Sequence, residues 1–244
     1  MSVKTYSKTV YVLFKKELLA YFSSPIAYIF LAVFLLAGNW LFFSNFFLAG
    51  QASMRIYFVF LPWVFLFLAP AITMRLWAEE KKMGTNEFLM TLPVTDWQLV
   101  LSKFLSALFF VLIALVLTLT LPLTVNLMGD LDLGPIWGGY IGALFLAGAY
   151  LALGLFISSL TKNQIVAFVL ALGAGLVFFI IGSETVLNQA PAFAIPVMKF
   201  LGLGSHFESI SKGVIDSKNI VYYLSFIFFF LWLNVKVLEK RELS

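Results

Sequence analysis

Long stretches without a single charged side chain govern what this chain can become. Six runs between successive charges reach at least 17 residues: 18–54 (37 residues), 56–74 (19), 104–129 (26), 133–161 (29), 163–183 (21) and 219–235 (17). A hydrocarbon core of ~30 Å takes about 20 helical residues at ~1.5 Å each, within a range of ~17–25. Each run can therefore supply one spanning helix, placed near 26–48, 56–74, 99–126, 136–160, 164–183 and 219–237. Composition agrees. The chain is 62% hydrophobic and 11% charged, against roughly 45–50% and about 25% in soluble domains. The expected fold class is an all-α membrane protein with six transmembrane helices.

A seventh run, 185–198, is too short to span and carries Pro191 and Pro196. It reads as a re-entrant or interfacial segment within 185–218. A cleaved signal peptide is not expected, because the first apolar run is span-length and begins only after Tyr21. Six spans place both termini on one side. With that side cytoplasmic, twelve of the 16 basic residues fall inside and only Arg55, Lys199, Lys212 and Lys218 outside, which satisfies the positive-inside rule. Trp77 and Trp97 then sit at the inner boundary, and Trp137, Tyr222 and Tyr223 at the outer one. The pattern points to a multi-pass membrane protein with both termini cytoplasmic. The net charge of +4 is a topology signal rather than a nucleic-acid signal. With no Cys and one His, disulfides, thiolate chemistry and His-rich zinc sites are excluded.

Residues 1–24 read as a cytoplasmic amphipathic interface helix. At 100° per residue Lys4, Lys8 and Lys15 share one face, and Tyr6, Val10, Leu13, Phe14 and Tyr21 share the other. The basic face suits anionic headgroups and the apolar face the acyl boundary. Glu17 falls on the apolar side. It either snorkels or pairs with Lys16 or a neighbour, or forms a buried pair with a cytoplasmic-side base such as Arg75.

The longest cytoplasmic connection, 75–98, is punctuated. Gly84 suits a left-handed helix terminus. Thr85 or Asn86 can cap a short helix that runs to Leu92 and is stopped by Pro93. Thr95 with Gln98 fits a capping box for the third span. Phe88, Leu89 and Leu92 share one face of the short helix, as a docking element needs; a segment folded back on the bilayer would use the same face. The second connection, 158–164, is polar and tight, either a turn or a second contact through Ser159, Thr161 and Lys162.

Several features are missing or mundane. No Gly-x-x-x-x-Gly-Lys-Ser/Thr string exists to cradle phosphates, so ATP hydrolysis by this chain is not expected. The spans lack the ionisable groups that secondary carriers place at depth. Asn39, Asn45, Asn126 and Asn234 read first as interhelical glue. Gly134, Gly138 and Gly142 recur every fourth residue, with Gly148 and Gly154 beyond, as in closely packed helices; a sliding surface is the second reading. Pro62 and Pro70 are expected to kink span two. His206 and Glu208, outside, do not share a helical face, so a catalytic dyad is not expected. Orienting the outer segment is the preferred role.

Four strings carry a family resemblance: Phe14-Lys15-Lys16-Glu17-Leu18 with Tyr21-Phe22-Ser23-Ser24-Pro25-Ile26-Ala27-Tyr28; Gly84-Thr85-Asn86-Glu87-Phe88-Leu89-Met90-Thr91-Leu92-Pro93-Val94; Ser158-Ser159-Leu160-Thr161-Lys162-Asn163-Gln164; and His206-Phe207-Glu208-Ser209-Ile210-Ser211-Lys212-Gly213-Val214-Ile215-Asp216. In this order they resemble the permease subunit of an ABC-2-type transporter, most of all the gliding-motility-associated permeases. The resemblance implies a type V exporter-like transmembrane domain over 25–244. It also implies a separate P-loop ABC ATPase that binds ATP and Mg²⁺, while this chain holds no cofactor, metal or catalytic residue. Coupling to that ATPase would run through Glu79, Glu80, Gly84, Thr85, Glu87, Phe88, Leu89 and Leu92, and an extracytoplasmic gate would include His206 and Glu208. A second permease copy or close paralogue is implied. Residues 49–55 leave no room for a large outer domain, so any hand-off domain would be an accessory subunit. The alternatives are an ATP-driven mechanotransmitter acting on an envelope assembly and an uncoupled channel; a lipid-modifying enzyme lacks its convergent groups.

Overall fold

The computed structural model describes residues 3–49, 53–84, 93–129, 131–214 and 216–242. Among these, eleven helices follow one another and no strand occurs. They are α1 (Val3–Phe22), α2 (Pro25–Ala49), α3 (Arg55–Met83), α4 (Asp96–Leu117), α5 (Thr120–Asn126), α6 (Leu133–Leu160), α7 (Gln164–Ile180), α8 (Glu184–Leu187), α9 (Ile195–Leu201), α10 (Leu203–Ser211) and α11 (Ser217–Glu242). Five units are long and apolar enough to cross a membrane: α2, α3, α4 continued by α5, α6 and α11. Helix α7 is equally apolar but has 17 residues, the bottom of the spanning range.

Local chemistry explains the boundaries. Ser24 Oγ accepts from the Ile26 amide at 3.4 Å, and Pro25 opens α2, where its missing N–H costs nothing. Thr95 and Gln98 form the expected capping box at the start of α4. Asp132 and Asn163 cap α6 and α7 through their side-chain oxygens. Gly84 ends α3 at φ +74°, a conformation that side chains with a Cβ rarely adopt.

Helix α6 is the hub. Its apolar window is 78% buried, against 22% for α2 on the periphery. The glycines explain why neighbours come so close. A Cβ on Gly139 would lie 2.3 Å from the Phe58 ring, and one on Gly154 2.2 Å from Thr73 Oγ1. A Cβ on Gly138 would lie 2.4 Å from the Ile210 carbonyl. The glycine repeat thus serves packing, as small residues do between apolar helices.

Four expectations need correction. Span two does not stop at Met74: α3 runs unbroken from Arg55 through Pro62 and Pro70 to Met83, so the first third of the expected 75–98 loop is rigid helix. Helix α1 finds a protein partner for part of its apolar face, which the expected interface helix did not include. It runs lengthwise beside α4, from a Gln98–Tyr6 hydrogen bond at one end to a Tyr21–Phe110 stack at the other, with Phe14 edge-on to Phe109 between them. Trp77, Tyr222 and Tyr223 are buried rather than part of an aromatic belt. Finally, Asn45 donates within its own helix to the Leu41 carbonyl, and the buried Asn234 amide has no partner among the described residues. Among the described residues of one copy, neither bonds to another helix.

Candidate functional site

The charged end of α3 gathers three other elements around it. Uncharged from Ile56 to Met74, the helix then presents Arg75, Glu79, Glu80, Lys81 and Lys82 over its last turns. Arg75 Nε and Glu79 Oε2 pair one turn apart at 2.8 Å, with both side chains about 30% exposed; the pair adds little stability there. Glu80 points the other way. Its Oε1 lies 2.5 Å from Lys103 Nζ, which also reaches Glu17 Oε1 at 3.2 Å. One ammonium on α4 therefore joins α1 to α3. The Lys103 side chain is 1% exposed, and the same Nζ stands 4.9 Å from the centre of the Trp77 ring, a cation–π contact. Lys103 lies two turns beyond the capping box at Thr95, on the inward face of α4.

The far side of α3 is fastened to the end of α6. Ser158 Oγ donates to the Met74 carbonyl at 3.1 Å and accepts from the amides of Trp77 (3.3 Å) and Ala78 (3.2 Å). Lys81, also buried, donates to the Ser159 carbonyl. Between them, Gly154 lets Thr73 approach. The outcome is a stiff rod, α3, clamped on one flank by ion pairs and on the other by hydrogen bonds, ending at Gly84.

The expected coupling residues divide accordingly. Glu79 and Glu80 sit on this rod and Gly84 caps it, whereas Thr85, Glu87, Phe88, Leu89 and Leu92 lie outside the described residues. At the second connection Ser159 is buried and donates to the Phe156 carbonyl at 2.6 Å. Thr161 Oγ1 accepts from the Asn163 amide, and Lys162 is exposed. Only Lys162 of the three therefore offers its side chain outward. Glu17 is paired, but with Lys103 rather than with Arg75 or Lys16.

His206 and Glu208 are not brought together. Glu208 pairs with Lys212 at 2.7 Å on the exposed side of α10. His206 stacks on Tyr222 with ring centres 3.9 Å apart. Its Nε2 lies 3.0 Å from the Phe200 carbonyl and its Nδ1 2.7 Å from Asn219 Oδ1. The ring thereby fixes α9, α10 and the start of α11 to one another. Tyr222 and Tyr223 add hydroxyl bonds to the Leu201 and Leu203 carbonyls at 2.7 and 2.8 Å. Nearby, Asp216 accepts from the backbone N–H of Lys218, and that bond, ahead of the Lys218 ammonium, holds its carboxyl below the usual range.

Residues 39–235 match the family model described as ABC-2 family transporter protein. The chain belongs to that family. It is the membrane permease component of an ABC transporter, a multi-pass protein of a family that is in general non-catalytic. No curated protein matches the chain. Within the permease, among the described residues, no group of three His, Asp or Glu converges as a metal site. Lys103, Trp77, Ser158 and Lys81 carry the architecture of the charged end and were not anticipated as site residues. The signal existed for one of them. Glu17 on an apolar helix face and Lys103, seven residues into α4, are lone opposite charges, each in need of the other.

Proposed function

We propose that this permease is the passive half of an ATP-driven exporter of the bacterial inner membrane, with both termini cytoplasmic and α7 as the sixth span. A separate P-loop ABC ATPase binds ATP and Mg²⁺ and grips residues 85–92. Two permease copies form the conduit, and the short helices α8–α10 close its outer mouth. The kinship with gliding-motility permeases rests on the four sequence strings and belongs to the same proposal.

The observation that carries the reading is the rod-like extension of α3 beyond its uncharged run, clamped to α1, α4 and α6 and ending directly before residue 85. A push delivered at 85–92 reaches the bundle only if the intervening segment does not flex. Closure of the ATPase pair would tilt α3 and, through Lys103 and Ser158, carry α1, α4 and α6 with it. Such a step is a population shift between two packings, driven by differential contacts at the ATPase groove.

The test is co-purification with the ATPase subunit in detergent. Replacing Glu87 by Lys or Leu89 by Asp should abolish recovery of the complex and coupled ATPase activity while the permease still inserts. Full complex recovery from both variants would refute docking at 85–92.

A further inference from the structure

Where α2 ends and α3 begins, at the opposite end of α3 from Gly84, the two helices flank an open groove of about 480 Å³, within the ~300–1,000 Å³ usual for small-molecule sites. Leu48 of α2 and Ile56, Val59 and Phe60 of α3 make its walls apolar. Arg55 is its one charged residue, and no carboxylate lines it. The other polar side chain there, Asn45, spends its amide N–H groups on the Leu41 carbonyl and Ser44 Oγ of its own helix. The groove therefore has a cationic head and an apolar body.

The arginine is free to take a ligand. It is exposed and belongs to none of the ion pairs among the described residues; its backbone N–H donates to Ser53 Oγ at 3.2 Å. A guanidinium can hold a phosphate through two parallel N–H donors. Along α3 from Arg55, one turn apart, come Val59, Trp63 and Phe67, all exposed. From Arg55 to Phe67 this stripe covers about 18 Å at ~1.5 Å per residue, slightly more than half of a ~30 Å hydrocarbon core. That is the depth one acyl chain reaches. Trp63 is held edge-on by Phe179 of α7. Charge and apolar track thus follow one another along one helix in the order a lipid presents head and chain.

We propose that this groove binds an anionic phospholipid, with phosphatidylglycerol as its ligand. The phosphate sits on the Arg55 guanidinium, and one acyl chain descends past Val59 and Trp63 toward Phe67. A zwitterionic phospholipid brings a second cation beside Arg55, and the groove has no carboxylate to receive it. A phosphatidylglycerol head brings hydroxyls instead. An arginine that merely snorkels into the bulk headgroup layer needs neither the groove nor the stripe. A lipid held there braces the α2–α3 corner, where α2 is the least buried of the five long apolar helices.

The test uses the full chain in detergent. Native mass spectrometry after exposure to equimolar phosphatidylglycerol, phosphatidylethanolamine and phosphatidylcholine should show retention of the glycerol lipid several-fold above the other two. Arg55→Gln removes the exposed charge and should bring the three lipids level. Val59→Trp keeps the charge but fills the groove, and should do the same. Both should match the parent's thermal midpoint before lipid is added. Lys199→Gln removes another exposed base, on α9, and should leave the preference intact. Soluble glycerol phosphate at equal concentration should not displace the lipid. Equal retention of the three lipids by the parent would overturn the proposal, as would an undiminished preference in folded Arg55→Gln or Val59→Trp protein. An equal loss in Lys199→Gln would overturn it in favour of bulk charge, and displacement by glycerol phosphate in favour of a free phosphate site.

Discussion

The two ends of the helical bundle are built by different means. At the Arg75 end, three helices meet on one buried ammonium: Lys103, 1% exposed, serves Glu17 and Glu80 at once. At the His206 end, a ring stack at 3.9 Å and tyrosine hydroxyls on carbonyls do the joining. Backbone contact tightens this end, since Gly138 approaches the Ile210 carbonyl. The difference is one of sensitivity. A buried ion pair adds little net stability over apolar packing, yet losing one partner strands the other charge. A neutral hydrogen bond costs only about 0.5–1.5 kcal/mol when lost. The charged end is therefore stiff while intact and abrupt when broken. That suits a segment that must pass on a push without absorbing it.

The comparison can be broken most forcefully at Lys103. Lys103→Met should destabilise the detergent-solubilised protein by about 3–5 kcal/mol, because Glu17 and Glu80 lose their shared cation. Adding Glu17→Gln and Glu80→Gln should restore much of the loss. Chemical denaturation of the three proteins checks this, and a single mutant as stable as the parent would show that the cluster is not structural. Next comes Gly138→Ala at the other end. Its Cβ would meet the Ile210 carbonyl at 2.4 Å and Gly213 Cα at 3.0 Å, both backbone and hard to move. Overpacking of this kind costs about 1–3 kcal/mol, read in the same denaturation experiment.

Smaller effects sharpen the contrast. Tyr223→Phe removes a donor from the Leu203 carbonyl and should cost about 1 kcal/mol, several-fold less than Lys103→Met. Equality of the two would erase the distinction between the ends. The smallest effect concerns pH. Asp216 has a folded value below its unfolded one, so its contribution is present above the unfolded value, near 3.9, and disappears as pH falls through the folded one. Asp216→Asn should flatten only this acid limb, seen as matching thermal midpoints on lowering pH from 5 to 3.

Much of this was legible in the residues. The uncharged runs give the helices because a bilayer leaves the backbone no other partner than itself. Gly84, Thr95 with Gln98, and the Ser24–Pro25 break give boundaries through local chemistry, which needs no tertiary contact. The charged end was legible only in part. An uncharged run marks where apolar residues stop, not where the helix stops, so the run's end at Met74 fell short of the helix end that Gly84 marks. Glu17 announced itself as a misfit on α1, but the choice of Lys103 over Arg75 depends on which helix packs beside α1. Likewise Trp77 and Tyr223 look like interfacial aromatics until their neighbours cover them.

By itself, then, the sequence determined a helical membrane protein, its approximate spans and several of its caps, because hydrophobic length and terminal hydrogen bonds are one-dimensional properties of the chain. Only the tertiary structure decided that α1 spends part of its apolar face on α4, that one lysine unites three helices and that His206 belongs to Asn219 rather than to Glu208. Those pairings join residues 13 to 92 positions apart. They are set by which helix faces meet, and no local pattern encodes that.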